Sequence, residues 1–157
     1  MAHDCTFRKR YEVRAKDLKG DWCFGYLKYD YSLDRYSVYN FDGECEVDPS
    51  TLCRHTGYVE RTEDLVRREI FEGDIVEFIT YGGSRYCYLL WFCQEMNCVC
   101  PLVASRKHDG GVTYWLCQND IHSMTYENFA FHMQDPWGDF KQISVVGNLF
   151  DNAVIFD

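Results

Sequence analysis

Apolar and polar residues alternate with period two along much of the chain, and the alternating runs are separated by glycine or by Asp/Asn pairs. A strand sends successive side chains to opposite faces, so this pattern predicts strands rather than helices. The runs are rich in Tyr, Phe, Val, Ile and Trp, which fit a pleated, half-buried surface. Trp22 to Tyr31 reads as one strand. Tyr36 to Phe41 reads as a second, in which Tyr36, Val38 and Asn40 alternate with Ser37, Tyr39 and Phe41. Asp42-Gly43 then marks a hairpin turn of the primed type. Asp48-Pro49 ends the short strand that follows, because proline offers no donor to a ladder and restricts the residue before it.

Between Thr56 and Glu69 charge dominates around the apolar anchors Leu65 and Val66, which predicts a solvated loop or a short helix. Gly73-Asp74 is a tight turn ahead of the apolar strand Ile75 to Phe78, and Gly82-Gly83 is the next turn. Arg85 to Cys93 and Cys98 to Ala104 follow as antiparallel strands, and Gly110-Gly111 separates them from Val112 to Cys117. One helix fits Ser123 to Met133, where Met124, Phe129 and Met133 are spaced for one face and Ser123 or Thr125 can cap. Ile143 to Val146, a Gly147-Asn148 turn and the apolar tail Leu149 to Phe156 complete the chain. The expected fold class is mainly β (β-rich α+β), with antiparallel strands and one short helix. A β-rich N-terminal segment over 1–55 and a second module over 56–157 are expected to share one core.

Composition narrows the function classes. At 157 residues, with 46% hydrophobic and 17% aromatic residues and 3 prolines, the chain can bury a core and is not a disordered type. It carries 16 Lys plus Arg against 25 Asp plus Glu, a net charge of -9, with no basic segment set apart. Duplex DNA binding, which draws on counterion release by clustered cations, is therefore not expected. No apolar run approaches the roughly 20 residues that span a bilayer, and Met1 to Arg10 is polar, so a soluble protein without a membrane partner is expected.

Nine cysteines, an odd number without a leader, read as reduced thiols. Cys87, Cys93, Cys98 and Cys100 share one β-like stretch, but their C-x5-C-x4-C-x-C spacing departs from zinc knuckles and suits small apolar core residues. Cys93, Cys98 and Cys100 remain the candidates for a zinc-supported domain.

The histidines, His3, His55, His108, His122 and His132, lack partners at ligand spacing, and no nucleophile elbow, Walker loop or dinucleotide fingerprint occurs. Asp120, His122 and His132 are the nearest to a constellation, and no motif joins them. A non-enzyme without a cofactor is expected. Twelve tyrosines, eleven phenylalanines and four tryptophans exceed what a small core requires, and tyrosine and tryptophan are what interfaces exploit. Tyr26, Tyr29 and Tyr31 in one strand region, and Tyr81, Tyr86 and Tyr88 with Arg85 around Gly82-Gly83, are the binding candidates. As a nucleotide site, such rings would stack a base while Arg14, Arg35, Arg85 or Arg106 grips phosphate. Gly73, Asp74, Gly147 and Asn148 read as turn builders: glycine permits positive φ, Asp74 can bond amides of its own turn, and Asn148 tolerates the left-handed region.

Three segments, Val47-Asp48-Pro49-Ser50-Thr51-Leu52, Arg68 to Val76 and Val145 to Asn152, resemble the YopX-like proteins of bacteriophages and prophages in order and separation. In that family a V-D-P stretch leads to a Thr-Gly element, here Thr56-Gly57, then to an E-I-F-E-G-D-I-V strand and a closing V-x-G-N-x-x-x-N motif. Tyr11 to Asp17 departs from it by lacking a tryptophan, Val59 to Arg67 replaces a short connection, and the cysteine-bearing middle has no counterpart. The resemblance implies an SH3-like barrel in the C-terminal two thirds, a phage origin and a homo-oligomer, but no mechanism. Together with the acidic charge and the missing active-site motifs, it leads to the expectation of a non-catalytic accessory protein in the host bacterial cytoplasm. Such a protein would bind or block a host component, a protein or a small molecule, in counter-defence. The alternatives are a nucleotide-binding or sequestering protein and a zinc-supported, nucleic-acid-associated domain.

Overall fold

The computed structural model describes residues 12–63, 68–94, 97–106, 112–116, 133 and 140–151. Their architecture is mainly antiparallel β, and the contacts divide the chain into two units, Met1–His55 and Thr56–Asp157.

The N-terminal unit is built on β1 (Val13–Lys16), β2 (Trp22–Asp30), β3 (Arg35–Asn40) and β4 (Gly43–Glu46), paired in sequence order. The start of β5 (Cys53–Val59) adds to the free side of β1 through Val13↔Arg54 and Arg14↔Cys53. The sheet rolls until Val47, just past β4, bridges Asp17, just past β1, and the Asp48 amide donates to the Lys16 carbonyl at 2.9 Å. Alternation sends Val13, Ala15, Val38 and Val47 inward, with Cys23, Leu27, Tyr36, Cys45 and Leu52 packed against them. Asp48-Pro49 closes the strand region as a single 3-10 turn, Pro49–Thr51. The Asp48 carboxylate accepts from the Ser50 amide (2.9 Å) and hydroxyl (2.7 Å), and the Thr51 hydroxyl accepts from the Lys16 amide (2.8 Å). The β3–β4 hairpin forms one residue earlier than a primed Asp42-Gly43 turn would place it. Phe41 and Asp42 turn without positive φ, and Gly43 takes φ 142° as the first strand residue.

In the C-terminal unit, β6 (Glu69–Phe71) neighbours the second half of β5. A five-stranded sheet holds β7 (Asp74–Thr80), β8 (Arg85–Cys93), β9 (Cys98–Arg106), β10 (Val112–Leu116) and β11 (Phe140–Asn148) in the order β10-β9-β8-β7-β11. One face packs Val76, Phe78, Tyr88, Leu90, Phe140 and Ile143 with Ile70 and Met133 into a dry cluster. Among the described residues β10 and β11 do not pair, so the closed SH3-like barrel implied by the resemblance is not found.

The charged stretch after Thr56 departs from the expected loop or helix: residues 56–59 extend β5, and Thr56 donates its hydroxyl to the Ile70 carbonyl at 2.6 Å. Arg61 then bridges Ile143 through two 2.8 Å backbone bonds, on the side of β11 away from β7. Glu60 is 6% exposed because its carboxylate is consumed by backbone donors, Val145 N at 2.8 Å and Arg68 N at 3.2 Å. Glu60→Gln is expected to cost about 1–2 kcal/mol, read as a lower urea midpoint, because the new amide must turn its own donors toward one of these N–H groups. An unchanged midpoint would mean the two amides find other acceptors.

Gly73 takes φ 80°, and the Asp74 carboxylate, 1% exposed, accepts from the Phe71 amide at 2.8 Å. β11 runs through Gly147 and Asn148, opposite Ile75 and Asp74, where a turn at these residues was expected, and neither adopts positive φ. The turn comes one residue later: Asn148 Oδ1 accepts from the Phe150 and Asp151 amides, both at 2.9 Å. Leu149 N donates to Gly73 O at 2.8 Å, so two of the segments that carry the resemblance lie side by side. The helix expected over Ser123–Met133 lies outside the described residues except for Met133, and of the expected apolar tail only Leu149 to Asp151 is described.

Candidate functional site

The β2–β3 hairpin ends in the loop Tyr31–Asp34, and the sequence places aromatics on both sides of it. Tyr29 and Tyr36 are direct cross-strand partners, with ring centroids 4.8 Å apart. Tyr31 meets Tyr29 edge-on at 4.8 Å and is itself 89% exposed. The Tyr29 hydroxyl donates to Asp34, whose positive φ of 49° brings the carboxylate back over the strand, and this bond holds the Tyr29 hydroxyl above its ordinary pKa.

Tyr36 also lines an open cavity of about 530 Å³, with Leu18 and Val47 among the other lining residues. Its charged lining is Asp17, Asp34, Glu46 and Asp48 against Lys16 and Arg35. Arg35 pairs with Glu46 at 3.3 Å, and Asp17 accepts from the Lys19 and Asp21 amides, both at 2.9 Å. The Ser50 hydroxyl, then its amide, keeps the Asp48 carboxyl below the usual carboxylate range, so that it is ionised at neutral pH. Each of these carboxylates is fixed by a local bond, and no nucleophile with a base stands among them. The cavity is suited to binding positive charge against the Tyr36 ring.

The residues singled out in the sequence separate. Tyr26 lies on the opposite face of β2 from Tyr29, paired with Tyr39 at 5.7 Å between centroids. Of the tyrosines around Gly82-Gly83, Tyr81 is exposed, whereas Tyr88 is buried in the C-terminal core and Tyr86 packs against it. They cannot form one aromatic surface, since Tyr86 and Tyr88 alternate inward with Phe78. Arg85, on the other face of β8, is 3.3 Å from Glu77. Arg14 stacks over Trp22 at 4.4 Å from the ring centroid. Arg14, Arg35 and Arg85 are thus engaged at three different places, on the Trp22 ring, with Glu46 and with Glu77, rather than gathered at one site. Tyr36 was not among the sequence candidates, although a four-residue hairpin loop places it opposite Tyr29.

Cys98 and Cys100 have their sulfurs 3.8 Å apart, and Cys93 faces Cys98 across β8–β9. Among the described residues no group of three or more His, Cys, Asp or Glu is arranged to hold a metal ion. In the N-terminal core, burial and then a hydrogen bond with Cys45 push the Cys23 thiol up to about 12. The constellation Asp120, His122 and His132 lies outside the described residues. Comparison of the chain with protein-family models, curated proteins and solved structures finds no match.

Proposed function

We propose that this chain is a non-catalytic bacteriophage accessory protein that binds a basic segment of a host protein in the tyrosine-flanked cavity of its N-terminal unit, and so blocks that surface. The observation that carries the reading is the cavity's composition: four carboxylates against two cations, with Tyr36 in the lining and its ring linked through Tyr29 to the exposed Tyr31. An arginine or lysine entering it gains carboxylate attraction and can cover a tyrosine face. The net charge of -9 steers such a partner in from a distance. The same charge repels phosphate, which places nucleotide binding second. Self-association belongs to the same proposal and is read by light scattering coupled to size exclusion.

The test is affinity capture from host lysate with wild-type protein and with Tyr31→Ala and Glu46→Gln. Both positions are solvent-accessible, so folding is retained. Each substitution is expected to weaken retention of the captured protein by about tenfold, and raised salt to slow its association. Retention indifferent to both substitutions and to salt, or no retention above a control resin, defeats the proposal.

A further inference from the structure

Three thiols converge where β8 turns into β9. Cys93 and Cys98 are direct cross-strand partners, and Cys100, on the same face, is opposite Trp91. All three are free thiols; Cys100 is fully buried, whereas Cys93 and Cys98 are half-buried residues. A thiol serving only as a small core side chain is commonly buried outright, and two of these three residues are not.

We propose that Cys93 and Cys98 form a thiol–disulfide exchange site that accepts a small-molecule disulfide and ends as an internal cross-strand disulfide, with Cys100 as the buried thiol behind it. Backbone spacing selects the pair. A disulfide spans Cα atoms roughly 4.4–6.8 Å apart. Direct antiparallel partners stand roughly 4.5–5.5 Å apart, well inside that range. Residues two apart on one strand are separated by roughly 6.6–6.8 Å, at its upper limit. Cys93–Cys98 is therefore the favoured product, even though the reduced sulfurs of Cys98 and Cys100 are within 3.8 Å. Burial, and then the hydrogen bond with Cys98, push the Cys100 thiol up to about 12, which leaves it protonated and slow to attack at neutral pH.

Oxidised glutathione serves as the probe. The Cys98 thiol loses its proton to water and attacks one glutathione sulfur, forming a mixed disulfide and releasing one glutathione thiolate. The Cys93 thiolate then attacks Cys98 Sγ and expels the second. The two protons shed by the cysteines are taken up by the released thiolates, and two electrons pass from the protein to the small disulfide. The products are one protein disulfide and two glutathione thiols.

The experiment incubates the intact chain with oxidised glutathione, blocks the remaining thiols with N-ethylmaleimide and maps chymotryptic peptides by mass spectrometry. A Cys93–Cys98 cross-link is expected as the main product in this region. In Cys93→Ser the glutathione adduct on Cys98 is expected to accumulate at least about tenfold over wild type, because its resolving thiol is gone. Cys93→Ala repeats the test with an apolar replacement, and the wild-type map needs no variant. Three results each overturn the proposal: a stable glutathione adduct on wild-type Cys98, a Cys98–Cys100 cross-link as main product, or no reaction at Cys98.

Discussion

Phe78→Ala is expected to lower the stability of the protein by about 3–5 kcal/mol, the range for emptying a buried aromatic site. Phe78 is fully buried at the centre of the C-terminal core, edge-on to Tyr88 at 5.5 Å and to Phe140 at 5.1 Å. Alanine removes both ring pairs, worth about 0.5–1.5 kcal/mol each beyond their buried area. It also leaves a cavity that stiff strands on either side cannot collapse. Since a whole domain is stable by only about 5–15 kcal/mol, the variant should unfold at a much lower urea concentration. Phe78→Leu keeps most of the volume and should lose about half as much or less. A Phe78→Ala midpoint within error of wild type would show that these rings are not the core of this unit.

Gly25→Ala carries the second large effect, from a single methyl group. A Cβ built on Gly25 stands 2.1 Å from the Tyr39 carbonyl oxygen, 2.8 Å from its carbon and 3.1 Å from Val38 Cγ1. The first two are backbone atoms of the neighbouring strand, so no rotamer relieves the clash. Either β2 and β3 separate, losing the Leu27–Val38 pairing under the rolled sheet, or the roll itself opens. The expected cost is about 3 kcal/mol or more, at the top of the range for overpacking. Gly20→Ala is the control: its added Cβ meets nothing within 4 Å, and only the φ of 91° opposes it, at about 1–2 kcal/mol. Urea midpoints for the two variants separate close approach from backbone conformation. Equal shifts would refute the packing argument.

Most of the strands were legible in the sequence because alternation is a local property. That Leu27 and Tyr26 take opposite faces follows from parity alone, and so does the split of Tyr26 from Tyr29 that proximity in the chain obscured. The Gly73-Asp74 turn was legible too, since a positive φ and a carboxylate returning to Phe71 N are settled within four residues. The stretch after Thr56 misled because its charges looked solvated. Glu60 is buried by donors from Arg68 and Val145, the second of them 85 residues away, and no local pattern announces that.

The candidate site divides in the same way. Tyr29, Tyr31 and Tyr36 were certain to lie near one hairpin, as adjacent strands with a short loop leave them little choice. That Asp17 and Asp48 would line one cavity with Tyr36 depended on the sheet rolling until Val47 reached Asp17, a twist accumulated over four strands. Likewise, the sequence alone determined that Tyr86 and Tyr88 share a face of β8, and only packing decided that this face meets Phe78 and Phe140 rather than water. Periodicity tells which side chains travel together; whether a face is covered depends on residues far along the chain, and burial is a property of that whole arrangement.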